Sequence, residues 1–99
     1  MKGAEELLRE YISHLRVEKG LSKNTTSAYE RDIQKFIRFL DETKISVDST
    51  THQEMQEFVS RLRGKGGKTS LAESSIFRTV VAIRNFYQFA SKEEGFLNP

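Results

Sequence analysis

Four stretches of the chain place their apolar residues at helical spacing, and this periodicity constrains the fold more than any other feature. Leu7, Leu8, Tyr11, Ile12 and Leu15 form the first stripe. It is expected to stop at Gly20, a residue suited to the left-handed position behind a helix, with Leu21 placed for the apolar contact that accompanies such an end. Ser22 is a natural cap for the next helix, whose stripe runs through Tyr29, Ile33, Phe36, Ile37 and Leu40 and gives out near Thr43. So short a corner makes the first two helices pack together. Residues 45–50 are polar and β-branched and read as a connector. Thr51 and Glu54 then stand at capping-box spacing ahead of Met55, Phe58, Val59 and Leu62, a short third helix. Gly64, Gly66 and Gly67 interrupt it with a basic loop carrying Lys65 and Lys68. Ser70 and Glu73 repeat the capping-box spacing, and Ile76, Val80, Ile83, Tyr87 and Ala90 mark a long fourth helix ending around Gly95. Pro99 forces Asn98 into extended geometry, so residues 1–97 are expected to form one all-α domain and residues 98–99 the start of a linker.

Composition narrows the chemistry available to such a bundle. At 99 residues there is room for one core and no separate catalytic domain. Without cysteine there is no disulfide framework, thiolate zinc site or thiol nucleophile, which suits a reducing compartment. His14 and His52 are far apart and in no metal-binding spacing, so neither a metal nor any other cofactor is expected. Gly67-Lys68-Thr69 ends like a phosphate loop, but the first glycine of that motif would fall at position 62, which is Leu62. The acidic pairs Glu5-Glu6, Asp41-Glu42 and Glu93-Glu94 lie at helix ends and read as solvated surface in place of general acid and base. No apolar run approaches the ~18 residues needed to cross a bilayer, and the amino terminus lacks a signal-peptide pattern, so a cytoplasmic protein without membrane attachment is expected. Phe36, Phe39, Phe58, Phe77, Phe86 and Phe89 recur at helical spacing and are assigned to the core instead of to base stacking.

Charge is unevenly spread. Residues 1–50 carry nine Lys and Arg against nine Asp and Glu, whereas residues 61–92 carry seven basic residues against Glu73 alone. Cations around a glycine-rich loop and a helix amino terminus suit phosphate binding, because free backbone N–H groups and partial positive charge stand beside them. The same residues also fit a plainer reading, in which Arg61 and Arg63 complement the end of the third helix. On the second helix Arg31, Lys35 and Arg38 form a further basic line, diluted by Glu30 and Asp32.

Two longer patterns carry a resemblance. Gly20-Leu21-Ser22-x-Asn24-Thr25-x-x-x-Tyr29-x-x-Asp32-x-x-x-Phe36-x-x-Phe39-Leu40, followed by Ser75-Ile76-x-Arg78-x-Val80-x-Ala82-Ile83-Arg84-x-Phe86-Tyr87-x-Phe89 and the Asn98-Pro99 ending, is similar to the N-terminal core-binding domain of tyrosine recombinases, especially the Xer and phage-integrase branch. Val81 and Ala90 depart from that pattern, which touches the packing of the fourth helix and not the fold.

The resemblance implies a four-helix SAM-like orthogonal bundle, built as two helix pairs, that grips one face of double-stranded DNA for site-specific recombination or integration. Catalysis then belongs to a C-terminal domain outside this sequence, so the chain itself is no enzyme and Tyr11, Tyr29 and Tyr87 are not nucleophiles. Neighbouring recombinase protomers are the implied protein partners. Carried over by position, Asn24 and Thr25 touch the DNA backbone with Lys23 alongside, and Ser75 and Arg78 approach the major groove, while Arg31, from the basic line on the second helix, is a further candidate for DNA contact. Lys65 and Lys68 add loop cations. Arg84 is divided between a structural bond and a DNA contact, and Tyr29 between core packing and a hydroxyl bonded to phosphate. The alternative is a small helical module that binds a protein through an apolar groove, its basic face merely solvated.

Overall fold

The computed structural model describes residues 2–64 and 73–95; the loop residues 65–69 with Lys65 and Lys68, the expected cap Ser70, and the exit at 98–99 lie outside the described residues. Among the described residues the chain is all α, with the four helices the periodicity calls for: α1 (Ala4–Val17), α2 (Lys23–Thr43), α3 (His52–Arg63) and α4 (Glu73–Glu94). A short 3-10 turn, Val47–Ser49, lies between α2 and α3.

Local chemistry sets the boundaries. Helix α1 ends at Val17, ahead of Gly20, and its last turn closes through the Glu18 and Lys19 N–H groups donating to the His14 carbonyl and Leu21 N–H donating to the Leu15 carbonyl. Gly20 takes the expected left-handed φ of 68° just beyond, which turns Leu21 back onto the core. Ser22 caps α2 by accepting the Thr25 N–H at 3.2 Å. At the start of α3 the Glu54 carboxylate reaches back to the Thr51 N–H (3.1 Å) and hydroxyl (2.6 Å), and these bonds hold Glu54 below the usual carboxylate pKa range. The carboxy-terminal end of α2 carries no glycine, so Lys44 itself adopts the left-handed conformation at φ 57°.

The core is aromatic at its centre. Phe36 meets Phe58 edge-on at 5.2 Å and Tyr87 at 5.8 Å, so α2, α3 and α4 converge on one ring, while Tyr11 brings α1 to Phe86 at 5.8 Å. Leu7, Ile33, Ile37 and Ile83 fill the space between. The buried Tyr87 hydroxyl donates to the Val47 carbonyl at 3.0 Å and fastens the connector to α4, and burial pushes the phenol pKa well above its ordinary value.

One core assignment fails. Phe77 is 72% exposed. The inward face of α4 is set by Ile76, Thr79, Ile83, Phe86, Tyr87 and Ala90, and a step of about 100° per residue carries Phe77 from the Ile76 position to the outside. The remaining five phenylalanines do belong to the core or pack against it.

Candidate nucleic-acid interface

The contacts that join the helices also fix which ends lie together. Gln34 of α2 reaches Glu5 near the start of α1, whereas Arg16 near the end of α1 reaches Thr26 near the start of α2, so these two helices run antiparallel. Between α1 and α4, Lys2 meets Glu94, Tyr11 meets Phe86 and Phe89, and His14 meets Phe89, so α1 lies across the carboxy-terminal half of α4. Arg78 lies opposite Asp32 and Tyr87 opposite Phe36, so α4 follows α2 in the same order along the chain. Helices α2 and α4 therefore begin on the same side of the bundle, and their free N–H groups and partial positive charge reinforce each other there.

Two polar latches hold that end together. Arg16 Nε donates to Thr26 Oγ1 at 2.9 Å, and the buried Thr26 hydroxyl also lies 3.1 Å from the carbonyls of Ser22 and Lys23. Asp32 is buried within the apolar stripe of α2 and accepts a fork from Arg78, Nε to Oδ2 at 2.9 Å and Nη2 to Oδ1 at 3.2 Å. Lys35 Nζ stands 3.9 Å away. The Arg78 side chain is 54% exposed and the Asp32 side chain 2%, so the pair bridges core and surface. Bonding to Asp32, with its charge, raises the Arg78 pKa further above an already high value.

The residues singled out from the sequence divide according to these latches. Lys23, Asn24 and Thr25 occupy the exposed first turn of α2, where the Ser22 hydroxyl donates to Thr25 Oγ1 at 3.0 Å and Thr25 is partly committed to the cap. Arg31 is exposed on the outer side of α2. Tyr29 is half-buried and packs against the core. Ser75 is half-buried in the first turns of α4, its carbonyl accepting the Thr79 hydroxyl at 2.9 Å. Arg78, expected at the groove, is held by Asp32 and keeps about half its surface open. Arg84 is exposed and makes no hydrogen bond or ion pair within the described residues. Lys65 and Lys68 lie outside them.

The basic cluster is also less free than its count suggests. Glu73, its single acid, accepts two bonds from Arg63 at 3.1 and 3.4 Å, which lowers the Glu73 pKa and raises that of Arg63. Arg61 lies over the Phe39 ring at 4.9 Å and within 3.8 Å of Glu57. The uncommitted surface is the outward face of α4, where no carboxylate occurs from residue 74 to residue 92. Phe77, Val81, Arg84 and Gln88 form one line along it, with Asn85 beside them.

Sequence reasoning passed over both latches. Thr26 carries no signal that distinguishes it from its neighbours. Asp32 does, because it stands between Tyr29 and Phe36 on an apolar stripe, and a carboxylate there demands a buried partner.

Among the described residues there is no group of three or more His, Cys, Asp or Glu side chains that could hold a metal, and no helix is long and apolar enough to cross a membrane. Residues 8–94 match the family described as phage integrase, N-terminal SAM-like domain. The chain is 37% identical over 91 residues to tyrosine recombinase XerD of Staphylococcus haemolyticus, covering 91% of this chain and 30% of that protein. It is 37% identical over 89 residues to tyrosine recombinase XerD of Staphylococcus epidermidis, covering 89% of this chain and 29% of that protein. The chain thus spans less than a third of the length of the curated relatives it matches. No solved structure gives a significant match.

Proposed function

The chain belongs to the phage integrase N-terminal SAM-like domain family, and from that premise we propose that it grips duplex DNA as the amino-terminal domain of a tyrosine recombinase, while a catalytic domain elsewhere in the parent protein cleaves and rejoins the strands. The observation that carries this reading is the pairing of two helix amino termini on one side of the bundle with a carboxylate-free outer face on α4. Phosphate oxygens accept from the first turn of α2, where Asn24 and Thr25 donate and Lys23 supplies charge. Helix α4 enters the major groove, where Ser75, Arg84 and the open half of Arg78 face base edges or the flanking phosphates. The Asp32 fork positions α4 by fixing its rotation against α2. Neighbouring protomers complete the assembly on DNA, and the work is done in the cytoplasm.

A groove of about 510 Å³ between α1 and α4, with Tyr11 and Phe89 among its lining residues and Lys19 and Lys92 as its cations, favours the second reading, a protein-docking module. Salt separates the two. Anisotropy of a labelled duplex titrated with the domain is expected to give an affinity that falls with a log–log slope near −0.9 per phosphate neutralised. Binding that is indifferent to salt, or no binding at low salt, contradicts the DNA reading.

A further inference from the structure

We propose that Phe77 and Val81 read thymine by apolar contact with its C5-methyl group in the major groove, an inference that rests on the DNA-gripping function above. Phe77 is 72% exposed and Val81 37%, and one helical turn places them side by side on the outer face of α4. Neither is surplus from the core, because Ile76, Thr79 and Ile83 already fill the inward positions beside them. The polar members of the same face, Arg84, Asn85 and Gln88, are the side-chain types that bond guanine and adenine edges. Thymine presents a methyl group in that groove, and an aromatic or aliphatic side chain is its complement. The fork between Arg78 and Asp32, one residue from Phe77, fixes the rotation of α4 and holds the ring outward before any DNA arrives.

A second copy of the chain is the other conceivable occupant. One exposed Phe and one partly covered Val offer far less than the roughly 800 Å² per partner of a stable interface, and the cations on this face repel a copy of themselves while attracting phosphate. The area and the charge therefore both favour DNA.

The test uses an alternating A·T duplex and its counterpart with uracil in place of thymine, which lack no charge or hydrogen bond relative to each other and differ only in the methyl groups. The unmodified domain is expected to bind the thymine duplex more tightly, by about fourfold for each methyl group buried. Phe77→Ala is expected to erase most of that difference while leaving the affinity for the uracil duplex and the salt slope unchanged, and cross-peaks between the Phe77 ring and thymine methyl protons are expected in the complex. Equal, salt-dependent binding of both duplexes by the unmodified domain overturns the inference and leaves the DNA function standing. Absence of binding to either at low salt overturns both. Equal binding together with self-association that Phe77→Ala abolishes assigns the patch to a second copy instead. The comparison of the two duplexes needs no variant, so it decides the matter even if Phe77→Ala folds poorly.

Discussion

The two faces of α4 are built on opposite rules. Inward, the large side chains are buried, Phe86 and Tyr87 meet other rings, and no buried side-chain polar atom among the described residues lacks a hydrogen bond. Outward, Phe77, Val81, Arg84 and Gln88 are exposed, and among the described residues Arg84 makes no ion pair. The contrast is sharpest between the two arginines, since Arg78 is forked onto buried Asp32 while Arg84 stands open. Residues on the first face answer to stability and those on the second to recognition, so substitutions on the two faces separate into different measurements.

Phe36→Ala, at the ring where three helices meet, is expected to destabilise the domain by about 3–5 kcal/mol, read by thermal or urea unfolding. That is a large share of the roughly 5–15 kcal/mol a domain of this size has. Arg78→Ala leaves Asp32 buried with only the distant Lys35 amine beside it. The expected loss is about 2 kcal/mol, below that of a fully buried pair because Arg78 is half-exposed. Arg78→Lys keeps the charge but not the fork and is expected to restore only part of that stability. A double-mutant cycle with Asp32→Ala checks the assignment, since additive losses break the claim that the two residues act as one latch. Tyr87→Phe removes the bond to Val47 and is expected to cost about 1 kcal/mol. Because burial raises the folded phenol pKa, stability is whole below the unfolded value of about 10 and declines as pH rises beyond it. Unfolding followed from pH 8 to 11 is expected to show a shallower alkaline decline in Tyr87→Phe. Smallest in stability is Arg84→Ala, expected within about 0.5 kcal/mol, yet it should lower the salt slope of DNA binding by about 1 if Arg84 neutralises a phosphate. A large stability loss in that variant breaks the division between the faces.

What the sequence made legible follows from the range of the interactions involved. Ser22, Gly20 and the Thr51 and Glu54 pair act over a single turn, so their chemistry could be read from neighbours, and the helices they bound are present. Asp32 with Arg78 and Arg16 with Thr26 join residues that only tertiary packing brings together, and spacing along the chain says nothing of them. Phe77 was misplaced for a related reason. Ile76, Phe77, Val80, Val81 and Ile83 make the apolar arc of α4 so wide that periodicity alone does not locate its centre, and α2 decides which edge is covered. The candidate interface was legible in its types of residue and less so in their roles, since Arg78 and Arg63 turned out to be held by carboxylates that the sequence places far from them.

The most direct test of the central claim is an amide and side-chain chemical-shift titration of the domain with a short duplex, at low salt and again at higher salt. Salt-sensitive shifts are expected at Lys23, Asn24 and Thr25 and on α4 at Ser75, Phe77, Val81 and Arg84, with the Arg78 guanidinium remaining on Asp32. Shifts centred on the α1 and α4 groove around Tyr11 and Phe89, or no shifts at all at millimolar duplex, contradict it.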